Sequence, residues 1–362
     1  MQILKNTMTA CFMAIMLSGT AHGETLAIID SMIVSGHNAD FLFDSVNGFY
    51  INGLYIADTA VYATCDKGII AKYRGEERWR LVAGRDEYLA AREVNMTAAG
   101  EYNRFHPSKI WEMPSGELGI YDSWLISNFY FLNPAAPPKH RLHPLKYPDE
   151  KSIVVRFNLG KDILLCGLYS IYHNRMIGIM NPDLSEYHRI FDIPVKLRHD
   201  LDSMGADYYP LAAFNPIDSA IWVAFENYNM LYIVNKQGDL LDSVRITHPD
   251  FVLPQPPASR IKSWAVFNDW SSKCASISSL QFVPPGYFLL KYFGPRKNKE
   301  DPSSRPQHLL CWNSKGEPVD LAINPEWQLT QVQADGTIPF VAYEREGGVM
   351  KKAIIYLTRI MP

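Results

Sequence analysis

Between residues 208 and 246 the chain spells four short apolar runs separated by polar breaks, and that grammar leaves few folds open. The runs are 208–214, 221–225, 230–235 and 239–246; the breaks NPIDSA, ENYN and KQG are rich in turn formers. Four antiparallel strands in about 40 residues is the size of one β-propeller blade.

The same alternation recurs along the chain. Residues 49–83 divide into FYINGLYIA, AVYATC, GIIAKYR and RWRLVA. In 106–157, HPSKIWEM turns at PSG into ELGIYD, followed by SNFYFLN, a proline-rich excursion and KSIVVRF. The stretch 162–197 is strand-rich. In 277–323, ISSLQFV turns at PPG into YFLLKYF, then QHLLCWN turns at SKG into EPVDLAI. Residues 327–360 supply three strands, and 25–33 (TLAIIDSMI) one strand with no partner of its own. The expectation is therefore an all-β, six-bladed β-propeller of four-stranded antiparallel blades. Its ring closes when the N-terminal strand completes the C-terminal blade, which removes two exposed edges. Helical periodicity is nearly absent, apart from a short helix near 86–95.

One turn repeats closely: Asn235, Lys236, Gln237, Gly238 and Asp239 beside Asn313, Ser314, Lys315, Gly316 and Glu317. Glycine enters the positive-φ region that a tight hairpin demands, and asparagine bonds its own backbone at the turn entrance.

Residues 99–133 (AGEYNRFHPSKIWEMPSGELGIYDSWLISNFYFLN) carry Gly100, Glu101 and Tyr102, then Pro107, Gly116, Asp122 and the aromatic run Phe129 to Phe131. In these positions the chain resembles the six-bladed TolB-like propellers of secreted bacterial proteins and, more loosely, NHL-type blades. The resemblance implies the fold and no common activity.

Residues 1–23 read as a cleaved export signal. Lys5 precedes an apolar run over 8–17, and Ala21 and Gly23 stand at the small-residue positions of a cleavage site. The apolar run is too short to span a bilayer. Cys11 precedes the apolar core instead of following it, against a lipid anchor. Residues 24–362 are then one propeller domain, periplasmic or at the cell surface, with no transmembrane segment. Export permits disulfides, and Cys274 with Cys311 is the pair to consider for a bridge. The other reading is that Cys65, Cys166, Cys274 and Cys311 are small buried hydrophobes.

Lys plus Arg total 35 against 38 Asp plus Glu, a net charge of −3, so nucleic acid is not an expected partner. HExxH, a P-loop, a GxSxG elbow, GxGxxG and the Asp-box are all missing, and no cofactor is expected. Asp200 and Asp202, in HDLDSMGAD, alternate as in a calcium loop, but Met204 and Leu211 stand where ligands belong. The long connections 84–105, 196–207, 247–276 and 294–306 all fall on the inter-blade and B–C face of the expected fold. Long loops in compact folds carry function, so that face is the expected binding surface. Arg85, Glu101, Tyr102, Arg260, Trp264 and Trp270 are its candidate contacts for a glycan, peptide or protein. The function expected is a non-catalytic binding or scaffold propeller. The alternative is a propeller enzyme, a lyase or glycosidase, with acid and base from different blades meeting at the central channel.

Overall fold

The computed structural model describes residues 24–35, 39, 50–84, 86–88, 106–122, 128–137, 140–145, 153–159, 164–169, 175–181, 183, 185–192, 210–254, 264–298, 305–346 and 349–361. Their strands form six four-stranded antiparallel sheets. Five use consecutive strands. β2 (Ile51–Ile56), β3 (Ala60–Cys65), β4 (Gly68–Tyr73) and β5 (Arg80–Ala83) form the first. The second comprises β6 (Pro107–Glu112), β7 (Leu118–Asp122), β8 (Asn128–Leu132) and β9 (Leu142–Leu145). Next come β10 (Ile153–Leu159), β11 (Leu164–Tyr169), β12 (Arg175–Met180) and β13 (Tyr187–Asp192), then β14 (Pro210–Phe214), β15 (Ile221–Phe225), β16 (Met230–Val234) and β17 (Leu240–Arg245). The fifth sheet is β18 (Ser276–Val283), β19 (Tyr287–Phe293), β20 (Gln307–Asn313) and β21 (Pro318–Val319).

The remaining sheet is composite. β22 (Gln328–Leu329), β23 (Ile338–Glu346) and β24 (Val349–Met361) are completed by β1 (Thr25–Ser35), which pairs with β24 from Thr25↔Met361 to Ser35↔Lys352. The terminal pairing expected from the sequence is therefore present.

The fold is an all-β propeller of four-stranded antiparallel blades. First strands pack side by side from β2 to β6, β10, β14 and β18. Buried amides carry the sequence onward: Gln281 of β18 accepts from Val332 N (2.8 Å) and donates to Thr330 O (2.6 Å). Gln333 donates to Leu54 O (2.7 Å) and accepts from Ile56 N (3.0 Å), returning to β2. Gln331 reaches further, donating to Ile110 O (2.6 Å) and accepting from Ile110 N (3.2 Å) on β6. Apolar clusters fill the spaces between sheets, as where Leu211, Trp222 and Leu231 meet Leu280, Phe288, Tyr292 and Trp312.

Several boundaries differ from the sequence expectation. The fourth strand of the β6–β9 sheet is β9, inside the proline-rich excursion, and KSIVVRF instead opens the following sheet as β10. His143 of β9 stacks on Phe131 of β8, ring centroids 4.6 Å apart, and Arg141 donates to Val82 O (3.0 Å). Those contacts hold a strand that Pro144 disguises. Helix α1 (Trp264–Ser272) lies in the β17–β18 connection, where no helix was expected; residues 86–88 are helical, within the expected helix. Cys65, Cys274 and Cys311 are buried free thiols, so the 274–311 bridge is absent. They sit in three different apolar clusters, and burial pushes each thiol pKa up to about 12. The expected signal at 1–23 lies outside the described residues, and no described helix is long and apolar enough to cross a membrane.

The repeated asparagine turn has the same wiring twice. Asn235 Oδ1 accepts from Gln237 N and Asp239 N, both at 2.9 Å, and Asn313 Oδ1 from Lys315 N and Glu317 N, both at 3.0 Å. Gly238 has φ 92° and a Cβ there would meet Ile190 O at 1.4 Å; Gly116 has φ 81° with nothing within 4 Å. Gly116→Ala should therefore cost about the 1–2 kcal/mol of a left-handed residue, and Gly238→Ala clearly more. Urea midpoints of the two variants give the comparison, and equal losses would contradict it.

Gln331→Leu keeps the bulk at the axis but strips both backbone groups of Ile110 of their partner. Each orphaned group costs about 1–3 kcal/mol, so urea unfolding should show a loss in the upper part of that range or beyond it. Unchanged stability would mean that water replaces both bonds.

Candidate functional site

The fourth strand of the β18–β21 sheet is curtailed. β21 pairs with β20 only at Cys311↔Val319 and Trp312↔Pro318, and a proline has no N–H to extend a ladder. Among the described residues no other backbone bonds the outer side of β20 over 307–310. The chain leaves β21 through Leu321, Ile323 and Pro325 instead, enclosing a cavity of about 280 Å³ along that free edge.

Its walls are firm. Trp327 stacks on Tyr356 (centroids 4.6 Å, 18°) and packs against Phe340 at 5.5 Å. Gln307 Nε2 donates to Trp327 O (2.7 Å) and ties the wall to the strand. Leu309, Leu310 and Leu329 add apolar lining, while Lys291, Asn324, His248 and His308 supply polar groups. Lys291 Nζ lies 5.3 Å from the Phe293 ring centroid, and no described carboxylate pairs with it. Burial lowers its pKa from 10.5 to about 8.

At one end of the cavity a polar cluster is built on Tyr292, whose ring is fully buried. Tyr292 stacks on His308 (4.8 Å, 16°), meets Phe251 edge-on (4.9 Å), and its hydroxyl lies 2.5 Å from His248 Nδ1. Asp250 N donates to the same Nδ1 (3.2 Å), which makes that nitrogen the acceptor. Phe251 N closes a turn onto His248 O (2.9 Å), holding residues 248 and 250 toward the sheet. His308 Nε2 lies 3.2 Å from Asp250 Oδ2, buried and outside hydrogen-bonding alignment. Desolvation, then the neighbouring His248, lowers the His308 pKa, with Asp250 opposing. Burial, then the charge of Asp250, raises the Tyr292 pKa.

Other polar groups lie along the inner strands. Asp66, in the β3–β4 turn, is 3.5 Å from His106 and accepts from Asn52 Nδ2 (3.3 Å). Tyr55 hydrogen-bonds Glu112. Closer to the ring of first strands the buried groups are the amides of Gln281, Gln331 and Gln333.

Of the residues expected to bind, Trp270 is corrected. It is 7% exposed, its indole N–H donates to Pro254 O (3.3 Å), and it packs with Phe225, Tyr232 and Cys274. An amphipathic helix buries its large aromatic, so Trp270 offers no stacking face. Trp264 opens helix α1. Arg85, Glu101, Tyr102, Asp200, Asp202 and Arg260 lie outside the described residues. His248 and Asp250 lie on the β17–β18 connection, and His308 follows the β19–β20 connection. None of the three was singled out from sequence. HxD after a strand was the available signal, but nothing local points from it to His308.

No family model matches the chain, and no curated protein does. Among solved structures it is similar to a member of the DUF4221 family from Bacteroides vulgatus, with TM-score 0.58 and 8% identity over 94% of this chain and 99% of that one. Virginiamycin B lyase from Staphylococcus aureus aligns with TM-score 0.45 and 11% identity over 92% and 99% of the two chains. A PQQ-bound aldose sugar dehydrogenase from Streptomyces coelicolor gives 0.43 and 13% over 91% and 98%. The first of these likenesses is to the propeller fold, and none carries an activity to this chain.

A lysine with a pKa of about 8 is largely charged at pH 7 and largely neutral at pH 9. Its acylation by an amine-reactive ester should therefore rise with a midpoint near pH 8, below the usual lysine range. Peptide mapping across pH reads this directly, and a midpoint for Lys291 at the exposed-lysine value would contradict it.

Proposed function

We propose that the chain is an exported six-bladed propeller, one domain over residues 24–362 and kin to the TolB-like group, that works as a binding module. Its ligand is an extended peptide presenting a carboxylate, taken in the cavity beside β20. The observation that carries this reading is the free outer edge of Gln307–Leu310 beside Lys291. An added strand uses an open edge for main-chain hydrogen bonds, Lys291 supplies a charge for the carboxylate, and Leu309, Leu321 and Trp327 supply apolar area. A glycan has no main chain to pair with the open edge, which favours a peptide. Support for export is the leader pattern of Lys5, residues 8–17, Ala21 and Gly23.

The test is calorimetric binding of short apolar peptides, each with a free or amidated C-terminus. Free-acid peptides should bind, amidation should weaken binding at least tenfold, and Lys291→Met should remove that discrimination while leaving the fold intact by circular dichroism. Equal binding of acid and amide would sink the carboxylate assignment, and binding of glycans in place of peptides would replace the peptide reading altogether.

A further inference from the structure

We propose that His248, Asp250 and His308 form a binding site for a divalent first-row transition metal of the zinc class. One nitrogen of each ring and one carboxylate oxygen all lie within 4.8 Å of one another. Two imidazoles and a carboxylate are the donor set that zinc and its neighbours favour, with ligand bonds of about 2.0–2.2 Å. The His308 Nε2–Asp250 Oδ2 edge, at 3.2 Å, is already at the separation that two ligands of one ion adopt. Rotation of the Asp250 side chain, which is 55% exposed and free to turn, brings its carboxylate toward both rings.

One further observation points to an ion. His308 Nε2 is buried without a hydrogen bond, a costly condition for a ring nitrogen unless something binds it. His248 Nδ1 already accepts from a backbone N–H, so an ion would either displace that bond or bind the ring through Nε2. Tyr292 holds both rings from beneath, one by stacking and one through its hydroxyl, the kind of outer support that fixes ligand orientation. His248 and His308 also line the cavity, so a position on the ion left free by the three protein ligands would open toward it. The ligands come from the β17–β18 connection and from β20, and the ion would pin one to the other. This site stands or falls independently of the peptide reading, which rests on Lys291 and the strand edge.

The experiment uses the full chain, stripped with a chelator and dialysed. After loading with zinc chloride and desalting, one equivalent of zinc should remain by elemental analysis, and cobalt chloride should produce visible d–d bands saturating at one equivalent. His248→Gln and His308→Gln should each weaken retention at least tenfold, while Lys291→Met should retain zinc as the wild type does. A measurement on the wild-type protein guards against variants that misfold. Zinc should protect His248 and His308 from diethyl pyrocarbonate, read by peptide mass spectrometry, and leave the exposed His188 open to modification. Absence of stoichiometric zinc, full retention by both glutamine variants, or unprotected His248 and His308 would each overturn the proposal.

Discussion

The antiparallel zipper between β1 and β24 is the constraint on which the candidate site depends. It joins the N-terminal strand to the last strand across ten paired residues, from Thr25↔Met361 to Ser35↔Lys352. Without it β24 would be an open edge, and the composite sheet would have three strands of which one, β22, has only two residues. The apolar cluster here brings together Leu26 of β1, Ile360 and Tyr356 of β24, Leu289 and Cys311 of the preceding sheet, and Trp327. Tyr287 adds a polar tie to Glu24 (2.9 Å) at the start of β1. Trp327 stacks on Tyr356 of β24, the strand that β1 pairs with from the opposite end of the chain. The cavity wall then follows from Trp327.

Around the axis the packing problem is different. First strands β2, β6, β10, β14 and β18 pack side by side, and their inward backbone groups need partners. A glutamine amide solves this locally, because one side chain both donates and accepts and carries no charge to desolvate. Gln331 satisfies both backbone groups of Ile110, and Gln333 does the same for Leu54 and Ile56. Two carboxylates in the same position would repel each other and would lack donors for the carbonyls. The lacing therefore favours an axis with a structural task. It moves attention from the centre, where acid and base were expected to meet in the enzyme reading, to the cavity between sheets.

How much of this the sequence disclosed depends on the range of the interactions involved. Hairpins are local, and the Asn-x-x-Gly turns at 235–238 and 313–316 displayed both the residue that bonds the backbone and the residue that takes positive φ. The terminal pairing was legible by counting, since three strands at one end and one at the other complete a sheet. β9 was not legible, because Pro144 interrupts its pattern and its identity rests on contacts with Phe131 and Val82. Trp270 misled for the opposite reason: a long connection suggested exposure, whereas α1 folds that ring back onto Phe225 and Tyr232. The His248–Asp250–His308 cluster joins a connection to a strand two strands later in the next sheet, and only the tertiary fold sets that distance.

The off-axis position of the cavity has a cause in sheet design. A full-length fourth strand protects a blade's third strand from pairing with other chains, and an exposed edge is otherwise an aggregation hazard. Here β21 stops after Val319, yet the edge it leaves at 307–310 is not open to any passing strand. Trp327 and Leu321 stand on one side, and the polar cluster built on Tyr292 stands at one end. A chain bound as proposed would have to be extended, narrow and compatible with Lys291 and the two histidines. Walls that keep the edge from indiscriminate pairing are the same walls that would give a bound segment its specificity. A two-residue outer strand is therefore better understood as a built opening than as a defect in the blade.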